Sequence, residues 1–400
     1  MFSRSVVRDS NGRITQKTES FGDGTTAVYE YDYDAVGRVG RLLSVTKDGA
    51  VAESYQYDAR PYGIRTYQEI NGVGKLLTYS DEDHLLTAGD VTYQHDADGF
   101  LVSKTQGTQV TTYDYSLRGE LVSVTLPDGR AVAYVHDPLG RRIAKKVDGV
   151  IVEKYLWQGL TRLLAVYDGN DSLLMRFEYA DARMPVAMTK GGATYYFAYD
   201  QAGTLKAVAD AAGNVVKKIE YDTFGNILGD SNPAFAVPFG FAGGLYDRDT
   251  KLVRFGYRDY DPETGRWTAK DPIGFAAGDI DLYGYCVNDP VNFADPEGLE
   301  AAVLPGPVPL PVILPNTPQQ EEANQQIADA VWDWLQEHYN EDNWIEEAWD
   351  YWFKDKSAPC SEARKKKHEK PPNPNRRKGA EDREKTGDRE RKIGHPDGEE

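Results

Sequence analysis

The sequence predicts an all-β protein built from repeated hairpins, on three observations. The 400 residues include 26 tyrosines, 13 phenylalanines and 38 glycines, which supply strand-filling aromatics and turn residues in quantity. An aromatic residue or histidine, followed by a small polar residue and then by a glycine four positions after the aromatic, recurs along the chain. Only two cysteines, Cys286 and Cys360, are present, so packing rather than a disulfide framework must stabilise the fold.

The repeat has the length of a hairpin. The aromatic or histidine that begins each repeat, which we call its anchor, lies mostly 20 to 22 residues from the next one. In "YVHDPLGRRIAKKVDG", alternating residues run into a turn and then alternate again. A single hairpin is marginal in water, so the units are expected to join into one continuous sheet. The anchors are Tyr33, Tyr57, Tyr79, His95, Tyr115, His136, Trp157, Tyr179, Tyr199 and Tyr221, and the turn glycines are Gly37, Gly99, Gly119, Gly140, Gly203 and Gly225.

The anchors have two interpretations. A motif repeated about ten times is more naturally a scaffold, whose aromatics stack in ladders, than a binding site. Binding of a sugar or another ligand by these ladders is the alternative. The repeats, notably "YEYDYDAVGRV" and "YFAYDQAGTL", resemble the YD repeats of Rhs proteins, Tc toxin C components and teneurins. The resemblance extends over residues 1–299 and implies that residues 1–239 coil into a hollow β-shell, which in that family encloses a toxic polypeptide.

The segment 240–299 has a different pattern, rich in Asp-Pro pairs and glycine. Its blocks "YDPETGRWTAKDPIG" and "LYGYCVNDPVNFADPEGL" resemble the Rhs-associated core. This resemblance implies an intramolecular aspartyl autoprotease that cuts after the leucine of the second block, between Leu299 and Glu300. The family's arginine and two aspartates fall on Arg258, Asp259 and Asp271.

Elementary chemistry supports such a site. Two neighbouring carboxylates cannot both ionise cheaply, so one can activate water while the other donates a proton. An arginine such as Arg258 would hold one of them ionised through parallel hydrogen bonds. Alternatively, these residues are turn formers, because aspartate before proline commonly opens a turn. In that case the segment is either an inactive site or a core that only plugs the shell.

Three further segments follow the expected cut. Residues 300–318 are proline-rich and predict an extended linker whose apolar residues suit the inside of a shell; membrane insertion is the weaker alternative. Residues 319–355 are acidic and tryptophan-rich and predict a small helical hairpin or, alternatively, a docking helix. Residues 356–400 carry mixed charge and predict a disordered tail with weak capacity for nucleic acid. Together they form a C-terminal tip whose activity the sequence does not identify.

Charge and composition limit the partners. The net charge of −18 disfavours broad contact with nucleic acid or an anionic membrane. No segment is apolar enough to span a bilayer, and the first 17 residues lack the apolar stretch that a signal peptide requires. The resemblance then implies a bacterial cytoplasmic protein exported by a specialised secretion system, and the sequence suggests no metal or cofactor. Expected partners are the protein's own tip, the upstream part of a longer Rhs chain, a secretion component and an immunity protein.

The sequence therefore predicts the C-terminal part of an Rhs polymorphic toxin of the kind used in competition between bacteria. Its shell would contain or deliver a tip that is released by cleavage after Leu299. The alternative is a non-enzymatic YD-repeat module for cell-surface adhesion or glycan binding. Cleavage at Leu299 discriminates between the two, because an adhesin has no need of it.

Overall fold

The computed structural model describes residues 2–34, 40–59, 63–180, 183–274 and 281–303. Gly37, most of the predicted linker at 300–318, the predicted helical region at 319–355 and the predicted tail at 356–400 lie outside these residues. The first 22 strands form one antiparallel sheet in which each strand pairs with the next along the chain. These strands are β1 Ser3–Arg8, β2 Ile14–Ser20, β3 Thr26–Tyr33, β4 Leu42–Lys47, β5 Ala50–Tyr57, β6 Arg65–Ile70, β7 Val73–Tyr79, β8 Leu85–Ala88, β9 Val91–His95, β10 Leu101–Gln106, β11 Gln109–Tyr115, β12 Leu121–Thr125, β13 Ala131–His136, β14 Arg142–Val147, β15 Val150–Gln158, β16 Arg162–Tyr167, β17 Leu173–Glu178, β18 Ala187–Lys190, β19 Ala193–Tyr199, β20 Leu205–Asp210, β21 Val215–Tyr221 and β22 Ile227–Asp230.

Shorter elements follow in what we call the core segment, residues 240–299, and just beyond it. Four strands form a second antiparallel sheet, and two more form a short ladder at the end of the described chain. Two single turns of 3-10 helix, Phe241–Gly243 and Cys286–Asn288, are also present. The strands are β23 Leu245–Tyr246, β24 Val253–Phe255, β25 Arg258–Asp261, β26 Arg266–Trp267, β27 Phe293–Ala294 and β28 Ala302–Val303. The predicted all-β hairpin fold is confirmed.

The Asp-x-x-Gly turns explain why the repeat keeps both residues. In one turn, the Asp137 carboxylate accepts hydrogen bonds from the backbone N–H groups of Leu139 (3.0 Å) and Arg141 (3.1 Å). The N–H of Gly140 donates to the Asp137 carbonyl at 2.9 Å, with Gly140 at φ 76°. Aspartate therefore caps the turn, and glycine takes the left-handed conformation that other residues avoid.

The sheet curves because its pairing register shifts at the anchor residues. At Tyr57, for example, the partner steps from Tyr67 to Arg65, so β6 has one extra residue. Such a bulge bends the strand and increases its twist. Nine of the ten anchors lie at a shift of this kind, so the bending recurs with the repeat and curls the sheet into a shell. These anchors are Tyr33, Tyr57, Tyr79, His95, Tyr115, His136, Trp157, Tyr199 and Tyr221.

Several anchors also tie each hairpin to the preceding one. The Tyr57 hydroxyl donates to the carbonyl oxygen of Leu42 at 2.7 Å, and the Tyr79 hydroxyl donates to that of Arg65 at 2.8 Å. The indole N–H of Trp157 makes the equivalent bond to Arg142 at 2.7 Å. A Trp can therefore replace Tyr at this position, because both residues combine a large apolar ring with a hydrogen-bond donor.

Loss of one such bond should destabilise the shell measurably. We expect Tyr57→Phe to lower the free energy of unfolding by about 1 kcal/mol, since the ring still packs but the Leu42 carbonyl loses its donor. Tyr196→Phe is the control, because that side chain is half-exposed. Urea unfolding of the two variants measures the difference, and equal stabilities would show that the hydroxyl contributes nothing.

The curled sheet brings its two ends together. Lys206 on β20 lies 3.2 Å from Glu19 on β2, which is also bound by Lys17 at 2.9 Å. Arg4 on β1 donates to the carbonyl of Tyr199 on β19 at 2.8 Å. The sheet therefore completes a turn by side-chain contacts between strands that are far apart in sequence.

The core segment packs against the turn ends of hairpins around the sheet. The N–H of Leu101 donates to the Thr268 carbonyl at 3.0 Å, and the Asn292 amide oxygen accepts from the N–H of Ile14 at 2.8 Å. Its interior is a cluster of rings in which Tyr260 and Tyr285 are fully buried, with centroids 4.7 Å apart. The segment is thus a plug that the hairpins hold from several sides.

Candidate functional site

Strand β25 presents its first two residues to different surroundings, because successive side chains of a strand point to opposite faces. Arg258 contacts the end of the core segment, whereas Asp259 contacts the repeat sheet and β24. Both side chains are almost completely buried. The two residues, adjacent in sequence, therefore belong to two separate charge clusters.

The first cluster is organised by the Arg258 guanidinium. It binds the carboxylates of Asp271 at 2.7 Å and Asp295 at 3.3 Å, and its Nε donates to the carbonyl of Gly298 at 2.6 Å. The ring of Trp267 lies below it, with its centroid 4.2 Å from the guanidinium carbon. One arginine thus draws two carboxylates and the backbone just before Leu299 into a single buried site.

Asp295 connects this cluster to the predicted cleavage bond. Its carboxylate accepts hydrogen bonds from the N–H groups of Gly298 at 2.8 Å and Leu299 at 3.0 Å. The side chain of Leu299 is half-buried, and Glu300 is exposed. The carboxylate therefore lies beside the backbone that leads into the Leu299–Glu300 bond.

The loop that carries this bond is closed by a short ladder. Phe293 and Ala294 of β27 pair with Val303 and Ala302 of β28, respectively. The chain is therefore held on both sides of the bond, and the bond lies in the loop between the two strands.

The two carboxyls that share Arg258 both favour the protonated state more than an exposed aspartate does. Burial raises the pKa of Asp271, and the nearby Arg258 lowers it only in part. Burial also raises the pKa of Asp295, against the effects of Arg258 and of the backbone N–H groups of Leu299, Gly298 and Glu300. A pair in which one member is protonated and the other ionised is what aspartate-catalysed hydrolysis requires.

The second cluster is a buried bridge around Asp259. One carboxylate oxygen binds Arg142 at 2.9 Å, and the other binds Arg254 at 2.8 Å. Burial acts to raise the pKa of Asp259, but Arg142 and Arg254 outweigh it and lower the pKa below its usual value. Because Arg142 belongs to β14 of the repeat sheet, this bridge fastens β25 to the shell.

The structure thus brings Arg258 and Asp271 together, next to the Leu299–Glu300 bond, and places Asp259 in a different cluster. Sequence reasoning missed Asp295 as a partner of Arg258, although it opens the "DPEGL" block that contains Leu299. It also missed Arg142, which is 117 residues away from Asp259 in the chain and carries no motif of its own.

Over the described ranges, the structure contains no group of three or more His, Cys, Asp or Glu side chains positioned to bind a metal ion. Within the same ranges, no helix has the length and apolar character needed to cross a membrane.

A neighbouring buried aspartate provides a pH test of this packing. Asp289 is fully buried and accepts from the Asn292 side chain at 2.9 and 3.0 Å, yet burial raises its pKa to about 7. Asp289 therefore binds its proton more tightly in the folded protein than in the unfolded chain. The free energy of unfolding should then fall as pH rises from about 4 to 7, by up to about 1.4 kcal/mol per pH unit. Asp289→Asn should remove this part of the pH dependence, which urea unfolding across that range measures. If the free energy of unfolding of Asp289→Asn depended on pH as strongly as that of the exposed control Asp98→Asn, the prediction would be wrong.

Fold and site together define a YD-repeat β-shell plugged by a charged, aromatic core segment. The chain belongs to the family described as Teneurin YD-shell, whose model matches residues 1–291. This membership confirms the YD-repeat family predicted from the sequence.

Similar sequences are teneurins from animals. The chain is 32% identical to Teneurin-3 of Danio rerio over 307 residues and 33% identical to Teneurin-3 of Mus musculus over the same length. Each match covers 73% of this chain and 11% of the relative. The chain thus spans about a tenth of the length of these relatives.

Solved structures with some likeness are Tc toxins. The Photorhabdus luminescens Tc holotoxin pore has a TM-score of 0.39 and 15% identity, covering 76% of this chain and 20% of that one. The TcdB2–TccC3 crystal structure has a TM-score of 0.32 and 16% identity, covering 74% and 22%.

Proposed function

We propose that this protein is the shell and self-cleaving core of a polymorphic toxin, and that it cuts its own chain between Leu299 and Glu300. The observation that carries the proposal is the pair of buried carboxylates, Asp271 and Asp295, held by one guanidinium beside that bond. A turn-forming aspartate has no need of an arginine that it shares with a second carboxylate. The role of turn former is sufficient for Asp289 but does not account for this pair.

The geometry suggests how the roles are divided. Asp295 accepts from the N–H of Leu299, and its pKa also responds to the N–H of Glu300, which is the nitrogen that must leave. In its protonated state Asp295 would donate a proton to that nitrogen, while ionised Asp271 would take a proton from the attacking water. Water adds to the Leu299 carbonyl carbon, the C–N bond breaks, and the products are a Leu299 carboxyl group and a Glu300 amine.

Arg258 and Asp259 would have positioning roles. Arg258 fixes both carboxylates and holds the Gly298 carbonyl, so the peptide bond one residue further along is kept in place. Asp259 was predicted to be a catalytic carboxylate. It remains a predicted requirement, but its contacts favour a contribution through anchoring β25, which carries Arg258, to β14 of the shell.

Cleavage at this bond has a specific chemical signature. The smaller product should begin with Glu300 and its new amine, so N-terminal sequencing should give the residues Glu-Ala-Ala-Val. A fragment that begins elsewhere would indicate a contaminating protease and would count against the proposal.

The function of the cut would be to separate a contained C-terminal tip from its shell. We propose that the tip stays associated after cleavage until export or delivery, because its proline-rich start is apolar and exposing it to water is unfavourable. Native size-exclusion chromatography, followed by denaturing electrophoresis, tests this: both fragments should co-elute. Clean separation at moderate salt would mean that the shell does not hold the tip.

We also propose that the protein is made in the bacterial cytoplasm and exported by a specialised secretion system, and that an immunity protein is a further partner.

The second candidate is the non-enzymatic adhesion or glycan-binding module. The 32–33% identity to teneurins favours it as much as it favours a toxin shell. An adhesin needs the packing of the Arg258 cluster but no hydrolysis. An uncut chain that binds glycans or cells through its shell would support this candidate and overturn self-cleavage.

A further inference from the structure

A small cavity lies behind the Asp259 bridge, between the repeat sheet and the core segment. It has a volume of about 30 Å³ and is lined by residues of both parts. Three of its lining side chains are arginines with unusual surroundings, Arg142, Arg183 and Arg254. The cavity is separate from the Arg258 cluster, in which Asp271 and Asp295 lie.

The three arginines have less negative charge around them than they need. Arg142 and Arg254 share the single carboxylate of Asp259. Arg183 donates to the carbonyl of Ala242 at 2.7 Å, and within the described ranges no carboxylate binds it. The two buried arginines, Arg142 and Arg254, therefore carry one positive charge more than Asp259 balances, and the half-buried Arg183 adds a second. Burying uncompensated charge costs several kcal/mol per ion, which is a large penalty for a stable fold.

Hydrogen bonding in the group is also incomplete. Both Arg142 and Arg254 are more than nine-tenths buried. The Nε atom of each lacks a hydrogen-bond partner. Buried donors of charged groups are nearly always satisfied, so two unsatisfied ones beside a single cavity indicate an occupant that accepts hydrogen bonds.

Neighbouring charges do not cancel the excess. Arg141, which also lines the cavity, is paired with Asp137 at 2.6 Å. Asp247 interacts with Arg142 but is bound by Lys145 at 2.8 Å, and Glu120 interacts with Arg254 but is paired with Arg118 at 3.6 Å. Each nearby carboxylate thus has a partner of its own.

His136, which interacts with Arg142 and Arg254, is a further titratable neighbour of the group. The pKa of His136 is lowered to about 3 by burial, by Arg142 and by Arg254. The imidazole is therefore neutral at physiological pH and adds no charge of its own to the group.

We propose that this cavity binds a small inorganic anion of the size of chloride. A cavity of this kind needs about 10–15 Å³ to hold one water molecule, so a volume of about 30 Å³ admits a monoatomic anion but not a nucleotide. The anion would neutralise part of the excess charge and accept from the arginines. It would also link Arg183, between β17 and β18, with Arg254 on β24, and so help to hold the plug in the shell.

The test compares halide with an anion that is too large to enter. Thermal unfolding of the full chain would be followed in sodium chloride and in sodium gluconate at equal ionic strength. We expect chloride, but not gluconate, to raise the midpoint in a saturable manner, by about 2 °C or more. Equal unfolding midpoints in chloride and gluconate at every concentration would overturn the proposal.

A matched pair of variants locates the effect. Arg183→Gln should lose the chloride-specific shift, whereas Arg176→Gln should keep it, because Arg176 is exposed and paired with Glu178. Retention of the full shift by Arg183→Gln would place the anion elsewhere and contradict the assignment.

Anomalous diffraction from wild-type crystals soaked in bromide gives a reading that does not depend on how the variants fold. A bromide peak among Arg142, Arg183 and Arg254 would support the site, and its absence from a crystal with bromide bound at other positions would overturn it. Self-cleavage enters none of these measurements, so the two proposals can fail independently.

Discussion

Replacement of Asp271 by asparagine is expected to stop self-cleavage while leaving the shell folded. Asparagine keeps the size of the side chain and can still accept from Arg258, but it cannot take a proton from water. We expect the rate to fall on the order of 10² to 10⁴-fold, which is the usual contribution of general acid–base catalysis. Asp295→Asn should have a similar effect, because it removes the proton donor. Denaturing electrophoresis of freshly purified protein over time measures both rates.

Two controls make this prediction specific. Asp289→Asn alters a buried aspartate of the same segment, also before proline but bound to Asn292, and should cleave at the wild-type rate. Asp259→Asn should slow cleavage and also lower the thermal midpoint, because the bridge to Arg142 weakens. If Asp271→Asn cleaved as fast as Asp289→Asn, the proposed pair would be wrong. If Asp259→Asn stopped cleavage with no loss of stability, Asp259 would be the catalytic carboxylate instead.

Breaking the buried bridge is expected to have the largest effect on stability. Asp259→Ala leaves Arg142 and Arg254 buried without their common carboxylate, and loss of one partner of a buried ion pair typically costs about 3–5 kcal/mol. Arg142→Met should cost less, because Asp259 keeps Arg254 as its partner, but it should still lower stability because the link between β25 and β14 is lost. Urea unfolding provides the measurement.

The exposed pair formed by Arg176 and Glu178, 3.0 Å apart, is the matched control. Arg176→Met should change the free energy of unfolding by no more than about 1 kcal/mol, because solvent screens exposed pairs. Equal losses for Arg142→Met and Arg176→Met would show that the Asp259 bridge does not fasten the core segment to the shell.

Local patterns were sufficient to predict much of the fold. Alternation and the Asp-x-x-Gly signal specify a hairpin within about 20 residues, and Asp137 and Gly140 form the turn that this signal indicates. The curvature was not predictable in this way, because the register shift at Tyr57 depends on how β5 and β6 meet. The hydrogen bond from Tyr57 to Leu42 likewise joins successive hairpins, which a single repeat does not reveal.

The residues of the site were likewise predictable only where a local sequence motif contains them. Arg258 and Asp271 were placed by resemblance to a motif, and the structure brings them into contact. The separation of Asp259 from Arg258 follows from strand alternation, which a β reading of "YRDYD" already contains. The arginine that binds Asp259 could not be inferred, because Arg142 lies in a distant repeat and meets Asp259 only after the sheet has curled around the core segment.

Intact mass of the purified chain tests the central proposal most directly. Self-cleavage between Leu299 and Glu300 predicts two species, residues 1–299 and residues 300–400, whose masses add up to that of the 44.7 kDa chain plus one water. The same preparation of Asp271→Asn should give the single uncut mass. A wild-type protein that remains one species of 44.7 kDa, while folded and stable, would contradict the account and leave the adhesion module as the better description.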